Sequence, residues 1–127
     1  MPRKTVRTDK SPSPVGPYSQ AIVSGGLVFC SGQIAIDPET GLLIDQDIES
    51  ETTRVMENLK AVLESAGSAL EKVVKTTVFL RDLKDFTRMN EVYGSFFEKD
   101  PPARSTIQVS ALPRGARLEI ECIAALS

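Results

Sequence analysis

Two stretches of the chain carry apolar residues at helical spacing. In the first, one helical face is formed by Ile48, Thr52, Val55, Leu59, Val62, Leu63 and Ala66. Steps of three and four residues are typical of an amphipathic α-helix, and we expect Asp47 to cap its start and Gly67 to end it. The second helix is predicted to begin near Asp85, with Phe86, Met89, Val92, Tyr93, Phe96 and Phe97 at helical spacing. We interpret these side chains as core packing rather than as an aromatic binding stripe.

Five other stretches predict β-strands, at residues 19–25, 27–35, 72–81, 104–111 and 117–125. The first two are joined by Gly25-Gly26, a two-residue hairpin signal, and "DPETG" predicts a turn. "DKSPSPVGP", which precedes them, predicts an extended arm because its X-Pro steps disfavour helix. The order ββαβαββ predicts one α+β domain over residues 1–127, with two helices on one face of a mixed sheet of about five or six strands.

Strand alternation assigns side chains to the two faces of this sheet. The positions that we place under the helices are Val74, Thr76, Val78, Leu80, Ile107, Val109, Ala111, Leu118, Ile120, Cys122 and Ala124. The positions that we place on the open face are Phe79, Arg104, Thr106, Gln108, Ser110, Arg117, Glu119 and Glu121. This interpretation brings Arg104 to the same face as two carboxylates. Because the open face mixes polar and apolar groups, we expect it to be a contact in a closed ring of subunits.

Composition narrows the possible chemistry. The chain has 127 residues, a formal net charge of −2 and no histidine. The missing imidazole excludes Ser-His-Asp and Cys-His catalysis, and two separated cysteines make a poor zinc site, so we expect no metal. We expect Cys30 and Cys122 to be buried small hydrophobes rather than a disulfide. No apolar run is long enough to span a membrane and no apolar segment follows the basic start, so we expect a cytoplasmic protein.

The remaining candidate chemistry is an arginine with a carboxylate. Arg104 follows "DPPA" at the start of a strand, and a guanidinium binds a carboxylate or phosphate in a bidentate manner. A glutamate near it can orient water and act as a general base. An Arg-Glu pair on a sheet is more often a structural ion pair, and the residues alone do not decide between Glu119 and Glu121. Gly32 allows the backbone to approach a ligand closely, and Tyr18 either anchors the arm or lines a site.

Four motifs in order resemble the RidA (YjgF, reactive intermediate deaminase) family. They are "GPYSQA", "SGQIAIDPETG", "KTTVFLRDLKDFTRMNEVYGSFF" and "PPARSTIQVSALPRGARLEIECIA", and the similarity runs from about residue 5 to the C-terminus. The resemblance implies a chorismate-mutase-like (YjgF-like) α+β fold and a homotrimer with a central β-barrel and clefts between subunits. It implies a cofactor-independent hydrolase that converts reactive 2-imino acids and their enamines, released by pyridoxal-phosphate-dependent dehydratases, to 2-keto acids and ammonia.

Carried over to this chain, the resemblance implies roles for five residues. Arg104 looks like the arginine that binds the substrate carboxylate, and Glu119 like the residue that positions the attacking water. Tyr18 and Asn90 match positions that line the cleft, and Gly32 would contribute backbone contacts. Within the archetypal subgroup of this family, the position two after the arginine is often cysteine, and here it is Thr106. This difference puts thiol-based regulation in doubt but not the deaminase chemistry.

Three functions are therefore open at the level of sequence. The first is a 2-iminobutanoate/2-iminopropanoate deaminase. The second is an endoribonuclease or translation inhibitor, a label long attached to this family, against which the net charge of −2 and the seven aromatic residues argue. The third is a non-catalytic regulator that binds keto acids in the same cleft. The physiological imino acid cannot be read from the residues.

Overall fold

The computed structural model describes residues 2–127, which form one six-stranded sheet and two α-helices. The elements in chain order are β1 (Lys4–Val6), β2 (Ala21–Ser24), β3 (Leu27–Gln33), α1 (Ile48–Ser65), β4 (Val73–Leu80), α2 (Phe86–Phe96), β5 (Ala103–Gln108) and β6 (Leu118–Ala125). The strand order across the sheet is β1-β2-β3-β6-β4-β5. β4 and β5 are parallel, and the other neighbouring strands are antiparallel. The predicted single α+β domain with a mixed sheet is confirmed.

Local signals place the first hairpin and the first helix. Gly25 and Gly26 have φ of 60° and 78°, the left-handed values that a tight two-residue turn between β2 and β3 requires. Asp47 accepts a hydrogen bond from the Ser50 amide at 2.6 Å, so it is the N-cap of α1. Gly67, with φ of 86°, follows the end of α1 in the conformation that glycine tolerates best.

The core lies between the two helices and one face of the sheet. Its largest fully buried side chains include Ile48, Met56, Leu59, Leu63, Leu80, Met89, Leu118 and Ile120. The predicted apolar stripe of α1 is buried apart from Ala66, which is partly exposed, and α2 buries Met89 and Tyr93. Among residues 2–127, the structure has no helix with the length and apolar character needed to cross a membrane.

Several details differ from the predicted strands, and β2 and β3 are shorter than predicted. β1 was not predicted, because three residues carry too short a pattern; it pairs with β2 at the edge of the sheet. β5 ends at Gln108 rather than at residue 111. Val74 is 48% exposed and does not share the buried face of Thr76, because a register shift between Val73 and Lys75 reverses the alternation there.

The faces that we predicted for β5 were wrong. β5 pairs in parallel with β4 in the register Thr76↔Arg104 and Val78↔Thr106. Because Thr76 and Val78 are buried under the helices, Arg104 and Thr106 lie on that same helix-covered face, and the register places Gln108 there with Leu80. Ile107 lies on the open face and is 46% exposed. Alternation defines two sets of side chains, but only the pairing decides which set is covered.

β6 follows its predicted pattern, but the residue before it does not. Leu118, Ile120, Cys122 and Ala124 are buried on the helix-covered face, as predicted. Arg117, predicted on the open face, instead donates from Nη1 to the buried carboxylate of Glu51 in α1. It also donates to Asp45 at 2.8 Å. This ion pair ties the start of β6 to the first turn of α1, so Arg117 has a structural role.

Candidate functional site

Arg104 is held by the face of α2 that covers β5. Its Nη1 donates to Asn90 Oδ1 at 2.6 Å. The guanidinium carbon lies 4.9 Å from the ring centre of Tyr93 and 5.5 Å from that of Phe86, which are cation–π distances. The three contacting residues, Phe86, Asn90 and Tyr93, are spaced by four and three positions, so they lie on one face of α2. This face therefore makes both the hydrogen bond and the cation–π contacts to Arg104.

Tyr93 is fixed by a hydrogen bond to the sheet. Its hydroxyl shares a buried hydrogen bond of 2.7 Å with Thr76 of β4, the register partner of Arg104. Burial raises the pKa of the Tyr93 hydroxyl, which keeps the ring neutral beneath the guanidinium. The arginine therefore rests on a rigid aromatic surface in one orientation.

A cavity of about 570 Å³ opens in front of this arginine. Its lining residues are Asn90, Tyr93, Gly94, Phe97, Pro101, Pro102 and Arg104. Pro101 and Pro102 present no backbone N–H, so Arg104 and the Asn90 amide are the main polar groups. Within residues 2–127, Arg104 forms no ion pair and uses only Nη1 in a hydrogen bond to protein. Its other N–H groups are free for the bidentate binding of an anion. We call this cavity the Arg104 half-site.

Glu119 lies on the opposite face of the sheet. It pairs with Phe79 of β4, and its side chain packs directly over Gly32 of β3, where the pairing of β3 with β6 shifts register. A Cβ at position 32 would lie 2.8 Å from Glu119 Cδ, so only glycine leaves room for the carboxylate there. Burial raises the pKa of the Glu119 carboxyl, and the charge of Glu121 raises it further. The carboxylate is thus a stronger base than an exposed glutamate.

The proline arm forms a wall beside Glu119 and is held by Gln20. This side chain is 2% exposed. Its Oε1 accepts from the Thr8 amide at 2.8 Å, and its Nε2 donates to the carbonyl oxygens of Thr8, Ser11 and Pro12 at 3.1, 3.3 and 2.8 Å. These contacts satisfy backbone groups that no strand pairs with. One amide side chain therefore holds the arm against the sheet.

The end of the arm is joined to the strand that carries Gly32. Ser31 Oγ donates to the Ser19 carbonyl at 2.6 Å, and the Ser31 amide donates to the Gln20 carbonyl at 2.9 Å. Tyr18, 51% exposed, lies at the end of the arm, and its hydroxyl accepts from the Val15 amide at 3.4 Å. The cavity so formed measures about 590 Å³ and is lined by Pro12, Ser13, Val15, Tyr18, Gly32, Gln33, Ile34, Ile36, Pro113, Arg114 and Glu119. We call it the Glu119 half-site.

The structure divides the five predicted site residues into two groups. Tyr18, Gly32 and Glu119 line one cavity, and Asn90 and Arg104 line the other. Thr76, the partner of Arg104, faces the helices, whereas Phe79, the partner of Glu119, alternates to the open face. The expectation that Arg104 lies on the same face as Glu119 and Glu121 is therefore wrong within one chain.

Three residues of these half-sites were not singled out from the sequence as site residues. Arg114 lines the Glu119 half-site, Gln20 holds the arm that forms one wall of it, and Tyr93 supports Arg104. Gln20 was detectable in principle, because a polar residue between an arm and a buried strand often bonds to the backbone of the arm. No pattern in the neighbouring sequence indicates that Arg114 lies beside Glu119 or that Tyr93 lies beside Arg104, because both contacts depend on the fold.

The cysteines have no place in either half-site. Cys30 and Cys122 are free and buried, as predicted, and they oppose each other on β3 and β6. Their mutual contact and burial raise the pKa of the Cys122 thiol, which makes it unreactive. Within residues 2–127, no three His, Cys, Asp or Glu side chains cluster in a way that could hold a metal ion.

Comparison with known proteins places this fold and these motifs in a family. The family profile described as Endoribonuclease L-PSP matches residues 8–126. A RutC family protein of Pyrococcus abyssi is 52% identical over 124 residues, 98% of each chain. A mouse protein named 2-iminobutanoate/2-iminopropanoate deaminase is 44% identical over 122 residues, 96% of this chain and 90% of the mouse chain.

A solved structure agrees with this relationship. The crystal structure of RidA from an Antarctic Psychrobacter species superimposes with a TM-score of 0.93 at 45% sequence identity, covering 96% of this chain and 98% of that one. The chain therefore belongs to the Endoribonuclease L-PSP family, whose members also carry the names RutC and RidA. The resemblance seen in the four sequence motifs is confirmed.

Proposed function

We propose that the protein is a 2-iminobutanoate/2-iminopropanoate deaminase that uses no cofactor. The observation that carries the proposal is the pair of half-sites: a fixed arginine with free N–H donors in one, and a carboxylate of raised pKa over Gly32 in the other. The name of the mouse relative agrees with this activity. The proposed substrates are reactive imines and enamines released by pyridoxal-phosphate-dependent dehydratases.

In the proposed reaction, Arg104 binds the carboxylate of a protonated 2-imino acid. Water attacks the imine carbon, and Glu119 accepts a proton from that water as the C–O bond forms. The carboxyl then returns that proton to nitrogen. The C–N bond breaks as the hydroxyl of the intermediate gives its proton to Glu119, and ammonia leaves with a 2-keto acid as the other product. An ionised group of raised pKa suits both steps, because it accepts and releases a proton near neutral pH more readily than an exposed glutamate.

The two half-sites require a second copy of the chain. Arg104 and Glu119 lie on opposite faces of the sheet and about 10 Å apart along the strands, at three residues of 3.3 Å each. We therefore propose a homotrimer in which the Arg104 half-site of one subunit covers the Glu119 half-site of its neighbour. Phe29 and Ile107, both more than 40% exposed on the open sheet face, are apolar surface that such an assembly would bury.

The proposal is tested by replacing Arg104. A threonine dehydratase generates 2-iminobutanoate, and semicarbazide traps the portion that escapes hydrolysis. We expect the wild-type protein to suppress trapping. In Arg104→Ala the rate of imine hydrolysis should fall about a hundred-fold, because a charged contact to the substrate carboxylate is removed. Lys60→Ala, which removes an exposed cation from α1, is the matched control. Full activity of a folded Arg104→Ala protein would contradict the proposal.

The same purified protein distinguishes the two other candidate functions, the endoribonuclease and the keto-acid regulator, from the deaminase. Tight, salt-sensitive binding of single-stranded RNA, with cleavage, would favour the endoribonuclease. Binding of 2-oxobutanoate without any effect on imine lifetime would favour the keto-acid regulator.

We propose the cytoplasm as the location, because both cysteines are free thiols, as is usual in a reducing compartment.

A further inference from the structure

A second arginine lines the Glu119 half-site. Arg114 lies in the loop between β5 and β6, in the sequence "LPRGA". Its backbone has φ 57° and ψ 21°, the left-handed region, and Gly115 follows with φ 70°. A non-glycine residue rarely adopts this conformation. The loop therefore holds Arg114 at the cavity in a conformation that costs free energy, and strained backbone of this kind clusters at functional sites.

The side chain of Arg114 joins two loops at the cavity. Its Nη1 donates to the carbonyl of Gly41 at 3.2 Å, at the end of the turn that follows Ile36. Within residues 2–127, none of the ion pairs includes Arg114. The guanidinium is thus oriented by one neutral acceptor, while its charge is not neutralised by a carboxylate of the same chain.

The rest of the cavity determines what this arginine can bind. Most of the other lining side chains are apolar or aromatic: Pro12, Val15, Tyr18, Ile34, Ile36 and Pro113. The two charged side chains in the lining are Glu119 and Arg114. An anion beside the Glu119 carboxylate would be repelled, whereas the unpaired guanidinium of Arg114 attracts one. A ligand that fits both groups has its reacting carbon at Glu119 and an anionic group at Arg114.

We infer that Arg114 determines specificity for imines that carry a second carboxylate. The inference rests on the proposed function: Arg104 of one subunit binds the carboxylate next to the imine carbon, and Arg114 of its neighbour binds the carboxylate at the end of the side chain. The substrate class is the 2-imino dicarboxylic acids, which arise by two-electron oxidation of acidic amino acids. Water adds to the imine carbon, the C–N bond breaks, and ammonia and a 2-oxo dicarboxylic acid are formed.

Two measurements test this inference. An oxidase acting on glutamate generates 2-iminoglutarate, a dehydratase generates 2-iminobutanoate, and semicarbazide trapping follows both. Calorimetry compares binding of the products 2-oxoglutarate and 2-oxobutanoate, which needs no catalysis. We expect Arg114→Gln to weaken the dicarboxylate reaction and binding by about ten-fold, the lower end of the effect of one hydrogen bond to a charged group, because Arg114 is exposed. The monocarboxylate values should stay unchanged, and Arg114→Lys should retain most of the preference.

The controls separate this inference from the proposed function. Arg3→Gln removes the same charge from the N-terminal segment and should change neither substrate. Equal loss for both substrates in Arg114→Gln, or no loss for the dicarboxylate, overturns the inference while leaving the deaminase intact. If no imine is hydrolysed but 2-oxoglutarate binding still depends on Arg114, the deaminase proposal fails and the dicarboxylate site is supported.

Discussion

At the scale of single residues, the contact between Gly32 and Glu119 links backbone geometry to chemistry. The carboxylate occupies the space that any larger side chain at position 32 would need. Glu119 is a long, flexible side chain, so it can move aside without unfolding the sheet. The position of the proposed base is therefore controlled by the absence of a methyl group on the neighbouring strand.

A Gly32→Ala replacement tests this contact. We expect the new methyl group to displace the carboxylate and to lower kcat by about a hundred-fold, the usual cost of a misplacement near 1 Å. The melting temperature should change little. In a Glu119→Gln background the same replacement should have almost no further effect on activity, because the group it displaces is already disabled. Additive losses in this double-mutant cycle would show that Gly32 acts by another route.

The pH dependence of the reaction follows from the environment of Glu119. Burial is the main cause of its raised pKa, and the like charge of Glu121 is the second. The base must be ionised, so activity falls as the pH drops through the pKa of Glu119. Glu121→Gln removes the like charge, and we expect the acidic limb of the pH profile to move to lower pH. The measurement is kcat/KM against pH, and an unchanged or upward-shifted limb contradicts the role of Glu119.

At the scale of elements, the proline arm depends on one side chain. The prolines prevent the arm from pairing as a strand, so its carbonyl groups need another partner. The amide of Gln20 is that partner, with hydrogen bonds to Thr8, Ser11 and Pro12. The order of the arm, which forms one wall of the Glu119 half-site, therefore depends on these hydrogen bonds.

Replacing Gln20 should release the arm. In Gln20→Glu the carboxylate can no longer donate, and it faces carbonyl oxygens, so we expect a loss of about 2 kcal/mol in unfolding free energy. Hydrogen exchange should accelerate in residues 8–18 before it does so elsewhere, and KM should rise more than kcat falls. Ser31→Ala is the matched control, since it removes only the bond to Ser19. Unaltered exchange in the arm would show that other contacts hold it.

At the scale of the whole molecule, the division of the site between two faces leads to a test of assembly. In the proposed trimer, each site takes Arg104 from one subunit and Glu119 from the next. Arg104→Ala and Glu119→Gln proteins should each be inactive, yet a ring that contains both has one site built from two intact half-sites.

Mixing the two variants should therefore restore activity. Random exchange of subunits at equal concentration puts three quarters of closed three-subunit rings in mixed form, each with one intact site of three, so about a quarter of wild-type activity is expected. The measurement is imine hydrolysis before and after unfolding and refolding the variants together. Each variant refolded alone is the control. A mixture that stays inactive would place both residues in the site of a single chain, or in no common site.

Much of the fold follows from local patterns in the sequence. The helical stripes of α1 and α2, the Gly25-Gly26 hairpin and the cap at Asp47 depend on neighbours in the chain, and the structure has all of them. The helix-covered face of β6 was also predictable, because alternating large apolar residues leave one choice. The sequence motifs were sufficient to identify the family, since they are long and occur in a fixed order.

The tertiary structure decided which residues can act together. Arg104 lies under α2 because β5 joins the sheet in parallel with β4, and pairing register is a long-range property that alternation within one strand does not contain. Long-range contacts also place Arg117 beside Glu51. In the same way, they bring Arg114 and the proline arm to the cavity that contains Glu119. The sequence by itself determined the elements and the candidate residues. Their division into two half-sites depends on contacts between distant segments, which only the folded chain defines.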